Sequence, residues 1–518
     1  MRILIFHGYL LSGTGSNVYN ASLARAMRAL GHEVHLLCQE RSAAELDWVD
    51  AAGDWDTGEL RVRATGAEPG AGSVTVYRPD IGGLLPVFVH DDYAGFEVRT
   101  FGELSDAEIE RYIELNVTAV REVVERVGEP GAVLANHLVM APVILGRAGL
   151  RYALKVHGSD LSYTVLPELD RFGPYAREAA AGATAILVGS GHIAERLRLA
   201  VNDPTVSAKV RLGPPGVDTE LFAPVSSRAE GSERLLALAN ELRSDGGEEA
   251  AADAWSRDVD AAAGAVEWFA AAAGPRAVFV GKLIVSKGAD LLLAAWPLVH
   301  AANPGARLLV VGFGGYREAL ERLWAALSSA DVDGAREVAR AGRALEGGPG
   351  TPLRHVSAVL ADPPPGYADA ATAAAGSVAF AGRLEHDEVA GVLPACDALV
   401  FPSSPPEAFG MVAAEAAAAG VLPVSAAHSG ALEVSRALAA ELPAEVAELV
   451  SFPVDDQAVS AIAQRLRAWF EIDEGVRAES REALRATSSG LWGWEGVARS
   501  VIAASEGRLG DLRPLPNN

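Results

Sequence analysis

Short runs of consecutive apolar residues recur along the chain, and each breaks at glycine or polar residues before an amphipathic stretch starts. Runs of this kind are strands buried on both faces of a parallel sheet. The first spans residues 2–7. It enters a loop, residues 8–16, that contains Gly13 and Gly15. A helix follows, with Tyr19, Leu23, Met27 and Leu30 on its inner face and Gly31 as its stop. The next strand covers 33–38, so these pieces make one βαβ unit whose crossover is expected to be right-handed. Residues 41–100 are less regular and predict peripheral strands, and residues 106–126 predict a long helix. Further strands then end one after another in polar residues. They lead to Asn136-His137, to His157-Gly158-Ser159-Asp160, to Gly189-Ser190-Gly191-His192 and to Gly213-Pro214-Pro215-Gly216-Val217-Asp218. Ligands of open α/β sheets bind beyond the carboxyl ends of the strands, so these groups are expected to share one rim.

A second series of the same kind begins at residue 277. Its first strand, 277–280, runs into Gly281-Lys282 and on to Lys287-Gly288, and a helix over 290–300 follows. Strand 307–311 ends in Gly312-Phe313-Gly314-Gly315, and strand 378–381 ends in Gly382-Arg383-Leu384. After a helix over 386–396, strand 398–401 reaches Pro402-Ser403. Two stretches interrupt the pattern. Residues 226–272 are rich in alanine and acids, include Gly246-Gly247-Glu248-Glu249, are partly helical by the spacing of Leu235, Leu238 and Leu242, and read as an inserted or linker segment near the domain boundary. Residues 330–375 contain Gly347-Gly348-Pro349-Gly350 and Pro363-Pro364-Pro365, which favours a solvated loop without a packed core.

The chain has 518 residues, enough for two or three domains, and its 22% charged residues are ordinary for a globular protein. A net charge of −24 argues against nucleic acid and anionic membrane as partners. Cys38 and Cys396 sit in apolar contexts and read as buried, reduced thiols of a cytosolic protein. The first apolar run is too short for a signal peptide, and none approaches the roughly 18 residues of a membrane span. The protein is expected to be soluble and cytoplasmic.

Candidate chemistry concentrates in residues 401–433. Glu407 precedes a helix that opens near Gly410, with Phe409, Met411 and Val412 around its start, and Glu415 lies within that helix. A strand over 421–425 and a Ser429-Gly430 turn follow. Acidic groups beside a helix N-terminus, at the carboxyl end of strands, suit a ligand carrying hydroxyls and phosphate. Lys282 and Lys287 are either a diphosphate clamp or two solvated surface lysines. Gly13 and Gly15, with Glu40 after the second strand, begin as a dinucleotide fold would, but position 18 is valine and the G-x-G-x-x-G spacing fails. The loop still offers backbone N–H groups to a sugar or phosphate. His137 and His157 occupy matching strand-end positions, and each is either structural or functional. The D-x-D triplets at Asp258/Asp260 and Asp331/Asp333 fall in the interruptions, and no metal site is expected there.

Taken in order, these residues resemble the retaining, nucleotide-sugar-dependent glycosyltransferases of group 1 (family 4 type), which have the two-Rossmann-domain GT-B fold. The resemblance rests on Val280-Gly281-Lys282, Lys287-Gly288, Val311-Gly312 with Gly314, and Phe380 with Gly382 and Leu384. It rests equally on Phe401-Pro402-Ser403 and on Glu407 with Glu415. In the first half it rests on the Gly13/Gly15 loop, His137, His157-Gly158-Ser159-Asp160 and Pro215-Gly216-Val217-Asp218. It implies an α/β chain of two doubly wound parallel-sheet domains facing across a cleft. The domains are expected at 1–222 and 276–489, separated by the acidic segment 223–275, with a low-complexity insertion at 330–375. A last helix, 490–510, with Trp494, Val497, Val501 and Ile502 on one face, is expected to cross back to the first domain, and the tail after Gly510 to be loose.

The resemblance also assigns roles. Lys282 and Lys287 would hold the donor diphosphate, Glu407 the sugar hydroxyls, Glu415 the ribose diol and the backbone around Leu384 the base. Gly281, Gly312, His157, Phe409, Gly410, Met411 and Val412 would line the donor site, with Gly13, Gly15 and His137 beside the transferring sugar. Arginine is usual in the family where this chain has Lys282; lysine keeps the charge but loses the bidentate fork. No cofactor or metal is implied, since the co-substrate is a nucleotide-diphosphate sugar and the partner a hydroxyl acceptor. The activity implied is transfer of a hexose-type sugar with retention of anomeric configuration. A glycogen/starch- or sucrose-synthase-like glucosyltransferase is the near alternative, and a catalytically silent binding protein of the same fold the distant one.

Overall fold

The computed structural model describes the chain except residues 14, 57, 69, 89–92, 94, 245–256 and 517–518. The glycine-glutamate run at 246–249 therefore lies outside the described residues. Contacts divide the chain into one unit of Met1–Gly216 with Trp492–Asn518 and a second unit of Val217–Leu491.

In the first unit, β1 (Arg2–Phe6) and β2 (Glu33–Leu37) flank the helix Gly15–Ala29. β3 (Ala51–Asp56), β4 (Glu59–Ala64) and β5 (Ser73–Arg78) extend the sheet, while β6 (Leu84–Val87) and β7 (Glu97–Thr100) form a small separate pair. β8 (Ala132–Asn136), β9 (Ala153–Val156), β10 (Ile186–Val188) and β11 (Val210–Leu212) complete it. The order is β11-β10-β9-β8-β1-β2-β5-β3-β4, parallel except for the β3–β4 hairpin. The order reverses at β1, which pairs with β2 on one side and β8 on the other. A crevice is expected outside the carboxyl ends of β1 and β8, where His7 and His137 emerge.

The helix Trp494–Ser505 packs onto this unit, and its Val497, Ala498, Val501 and Ile502 join the core of Ile3, Ile5, Tyr19 and Leu134. The Val133 N–H donates to the Ser505 hydroxyl at 2.7 Å. Residues 512 and 513 are held where the sequence suggested a loose tail. Leu512 is buried, and the Arg513 carbonyl accepts from the Leu212 N–H at 3.0 Å, which seals the β11 edge.

The second unit contains β12 (Arg276–Val280), β13 (Arg307–Val311), β14 (Val378–Gly382), β15 (Ala398–Phe401), β16 (Leu422–Ala426) and β17 (Ser451–Phe452). All pairs are parallel, in the order β14-β13-β12-β15-β16-β17. Counted within the unit this is 3-2-1-4-5-6, the doubly wound order, with its switch point between β12 and β15. The loops that leave those two strands carry Lys282, Lys287 and Glu407.

The first interruption is helical where the spacing of Leu235, Leu238 and Leu242 suggested it but is more than an insertion, and the second differs from expectation throughout. Residues 223–275 hold two helices, Arg228–Ser244 and Val259–Ala270, packed on each other with Leu235, Leu238, Leu242, Val266 and Phe269 buried. The second of them also covers β13 and β14, so it is part of the unit's wall and no linker. Residues 330–375 are no solvated loop. They form short helices at Val332–Ala341, Arg354–Ala361 and Tyr367–Ala373, which bury Val338, Val356, Leu360 and Tyr367. The Tyr367 hydroxyl donates to the Ala294 carbonyl at 2.6 Å, tying the segment to the helix Ala289–Ala302.

Candidate functional site

The loop after β12 makes a single helical turn, Val285–Lys287, and stops at Gly288, whose φ of +69° is left-handed. A Cβ at Gly288 would stand 2.0 Å from the Pro402 carbonyl oxygen, so only glycine lets this loop lie against the end of β15. The Ser404 N–H donates to the Ser286 carbonyl at 2.9 Å across the same junction. Lys287 and Glu407, 120 residues apart, thereby meet with Nζ 2.5 Å from Oε1. The Ser403 hydroxyl donates to the same carboxylate oxygen at 2.5 Å. Lys287 also lies over the Phe401 ring, 5.9 Å from its centroid.

The Glu407 backbone is pinned separately. Its N–H donates to the Ser429 hydroxyl at 2.8 Å, and its carbonyl accepts from the Gly430 N–H at 3.0 Å. Ser429 has a φ of +52°, rare for a residue other than glycine, at the start of the helix Ser429–Ala439. His428 bridges the strand ends, with Nε2 donating to the Ser403 carbonyl at 2.9 Å and Nδ1 3.0 Å from the Ser429 hydroxyl.

Glu415 is 5% exposed within the helix Met411–Ala418, and its Oε1 lies 3.0 Å from His386 Nε2. The His386 ring stands edge-on to Phe222, with centroids 5.1 Å apart. Burial lowers the pKa of this imidazole, but the hydrogen bond and charge of Glu415, with Asp218 and Asp387, outweigh it and leave the value raised. The neighbouring loops are laced by backbone bonds: Gly281 N to Val311 O at 3.1 Å, Leu283 N to Phe313 O at 2.7 Å, and Gly312 N to Gly382 O at 2.8 Å. A Cβ on Gly312 would meet the Gly281 carbonyl at 1.8 Å. Leu384 is buried beside Arg383, which lies over the Phe313 ring. Lys282 is exposed at the start of its loop, Phe409 is buried, and Gly410 precedes the helix that begins at Met411 and Val412.

In the first unit the strand ends gather imidazoles. His137 lies 4.6 Å from His157, 6.0 Å from His7 and 4.6 Å from Phe88, centroid to centroid. Its backbone has a φ of +67°, held where its N–H donates to the Lys155 carbonyl at 2.8 Å. Both ring nitrogens of His137 are buried without a hydrogen-bond partner among the described residues, and Nδ1 is 4.0 Å from Asp160 Oδ2, beyond bonding reach. Burial pushes this imidazole down to about 3, so the ring is neutral. Gly13 takes a φ of +88° in its loop, and Gly15 opens the helix behind it. Glu40, the acid that would read a ribose in a dinucleotide fold, instead accepts from the Leu11 N–H at 3.0 Å and holds this loop.

Asp258 and Asp331, from the D-x-D triplets, are helix N-caps that accept from Ala261 N and Gly334 N, each at 2.9 Å. Among the described residues no cluster of three or more His, Cys, Asp or Glu is placed to hold a metal ion. Nor is any helix there long and apolar enough to cross a membrane.

Residues 369–485, which carry β14 to β17, both glutamates and His386, match the model of the family described as glycosyl transferases group 1. That stretch of the second unit is similar to a group 1 glycosyl transferase domain. Over the whole chain, the fold is similar to sucrose-phosphate synthase from Thermosynechococcus elongatus, at 17% identity over 96% of both chains and a TM-score of 0.53. It is similar to Anabaena HepE in complex with UDP and glucose, at 15% identity over 96% of this chain and 97% of that one, TM-score 0.52. The catalytic domain of starch synthase IV from Arabidopsis thaliana, bound to ADP and acarbose, matches at 14% identity over 98% and 99%, TM-score 0.55. At such identity the likeness establishes the fold, that of two Rossmann-like domains. No curated protein matches the chain by sequence.

Around the expected site residues, the structure places several others whose partners the sequence does not show. Ser403 was visible in the strand-end motif but had no role there. His386, at the first position of the helix His386–Val392, becomes meaningful only once the strand order brings it to Glu415. Glu346 lies in the stretch expected to be a loop without chemistry, yet it accepts from the Val285 N–H at 2.7 Å and so braces the turn that presents Lys287. No local pattern marks Glu346, because its partner is 61 residues away.

Proposed function

We propose that this chain transfers a hexose-type sugar from a nucleoside diphosphate sugar to a hydroxyl acceptor, with retention of anomeric configuration. The observation that carries the proposal is the meeting of Lys287, Glu407 and Ser403 at the switch point of β12 and β15. The group 1 match over the strand ends that hold both glutamates supports it. In the free protein Lys287 and Glu407 neutralise each other. A donor exchanges this single pair for two contacts: the diphosphate takes the ammonium group, and the sugar hydroxyls donate to the carboxylate. Lys287 then faces the oxygens on which charge builds as the bond from the anomeric carbon to the diphosphate breaks. The acceptor oxygen bonds that carbon on the same face, and its proton passes to the departing phosphate oxygen. Lys287 and Lys282 supply the positive charge that a metal ion supplies in other transferases. Glu415 takes the ribose diol and the Leu384 backbone the base. The neutral His137, with Gly13 and Gly15, serves the sugar.

A melting-temperature screen against UDP-, ADP- and GDP-sugars is expected to find one that stabilises the protein. Proton NMR of its transfer product is then expected to show the anomeric coupling of the donor. Lys287→Ala and Glu407→Ala should each lower kcat/KM by at least about 100-fold, with melting curves that remain cooperative. The proposal fails if no nucleotide sugar shifts the melting temperature and none is slowly hydrolysed, and the site assignment fails if either variant stays active. An inverted product would refute retention alone.

A further inference from the structure

Between the strand ends and the glycine loop of the first unit runs an unbroken line of side-chain hydrogen bonds. His157 Nε2 bonds Asn136 Oδ1 at 2.9 Å, and Asn136 Nδ2 donates to Asn20 Oδ1 at 2.8 Å. Asn20 Nδ2 donates to His7 Nδ1 at 3.0 Å, and His7 Nε2 bonds Asn17 Oδ1 at 2.9 Å. Asn17 Nδ2 ends the line on the Ser12 carbonyl at 2.6 Å, one residue before Gly13. Backbone carbonyls set its direction. Asn136 Nδ2 also donates to Phe6 O at 3.2 Å, and Asn20 Nδ2 to Ser16 O at 2.9 Å, so neither amide can be turned over. His7 Nδ1 must then be bare and Nε2 must carry the proton, and His157 must likewise hold its proton on Nε2.

His7, Asn17, Asn20 and Asn136 are all within 1% of complete burial. At such positions an unpaired polar group costs about 1–3 kcal/mol, so the arrangement resists any single change. The network ends at two places. One end is the loop whose next residue is Gly13. The other is the His157 ring, tilted against His137 with 4.6 Å between centroids; the two buried nitrogens of His137 have no hydrogen-bond partner among the described residues.

We propose that Asn17, Asn20 and Asn136 are positioning residues that, through His7, hold the glycine loop and the His157 ring in one arrangement and keep both flanking imidazoles as neutral Nε2–H tautomers. His137 is thereby left as the imidazole of the group with no hydrogen-bond partner among the described residues. What the loop and His137 meet rests on the sugar-transfer proposal above; the arrangement itself does not. Its charge environment agrees with it. His7 and His157 both face His137, Lys155 stands beside His157, and burial is the largest influence lowering both rings, His7 to about 3.

The test begins with the full-length protein carrying ¹⁵N-histidine. His7 and His157 are expected to show Nε2–H tautomers that do not titrate between about pH 5.5 and 8. A ring that titrates near the ordinary value, or an Nδ1–H tautomer at either residue, overturns the proposal without any variant. Asn17→Asp keeps the acceptor for His7 Nε2 but sets a carboxylate beside it, so His7 should acquire a titration in that window. Asn17→Ala frees the Ser12 carbonyl and is expected to raise KM for the nucleotide sugar about tenfold. A variant that merely folded less well would lose active enzyme and hence kcat, and would leave KM unchanged. A silent His7 in Asn17→Asp, or an unaltered KM in folded Asn17→Ala, sinks the idea. If wild type binds no nucleotide sugar, the donor assignment falls while the tautomer result still decides the relay.

Discussion

Glu407 and Glu415 are the same side chain eight residues apart in sequence, and their surroundings give them different work. Glu407 is shared by an ammonium and a hydroxyl group, whereas Glu415 is buried against an imidazole. The second pair sets a pH dependence. Burial disfavours charged His386, but Glu415, Asp218 and Asp387 outweigh it, so the folded ring holds its proton more tightly than an unfolded one. The stability this contributes is complete below the unfolded imidazole value of about 6.5 and is lost as pH rises through the raised folded value. His386→Gln keeps a donor without a titration. It is expected to melt below wild type at about pH 6, with the gap closing toward alkaline pH. A gap constant across pH would show that the pairing carries no charge. Lys287 and Glu407 are singled out by motif order alone, but their pairing is not. The roles of His386 and Asn136 were not legible, because each acquires its partner from the strand order, and that of Ser403 was not, because a turn four residues long does not show which side chains face each other.

Elements were legible wherever the apolar run was unbroken. β1, β8, β12 and β15 fall where the runs place them, and the polar residue after each run emerges at the rim. In the interruptions, helix is legible only through Leu235, Leu238 and Leu242. Three of their helices bury alanine beside only one or two larger apolar residues: Ala262 and Ala263 in Val259–Ala270, Ala335 and Ala339 in Val332–Ala341, and Ala371 in Tyr367–Ala373. Alanine is the strongest helix former yet shows little apolar periodicity, so a packed helix passes for low complexity. Small residues decide packing elsewhere too. Gly216 lies under the indole of Trp494, where a Cβ would come within 2.3 Å of the ring, and Tyr19 packs against the same indole at 5.5 Å. Gly216→Ala is expected to lower stability by about 1–3 kcal/mol. Trp494→Leu in the same chain should recover part of that loss, because leucine leaves room for the methyl group. Melting temperatures of the four proteins in a double-mutant cycle measure this, and strictly additive effects would refute the contact.

At the scale of the whole molecule, both ends of the chain belong to the first unit, while the second is one continuous stretch. The helix Trp494–Ser505 is thus an internal wall of the first unit supplied from the far end of the sequence. Its Val497, Val501 and Ile502 are at most 8% exposed. Burying three such side chains contributes roughly 5–9 kcal/mol, comparable with the ~5–15 kcal/mol that holds a whole domain together. Met1–Gly216 expressed alone is therefore expected to lack a cooperative thermal transition, and Val217–Leu491 alone to show one. Because Gly216 already touches Trp494, a Gly/Ser linker of about five residues should suffice to join Met1–Gly216 to Trp492–Asn518. The joined fragment is expected to regain a cooperative melt by circular dichroism. If Met1–Gly216 melts as cooperatively without the helix as with it, the last helix only decorates the first unit. If the joined fragment also fails to melt cooperatively, the first unit needs the second for its own folding.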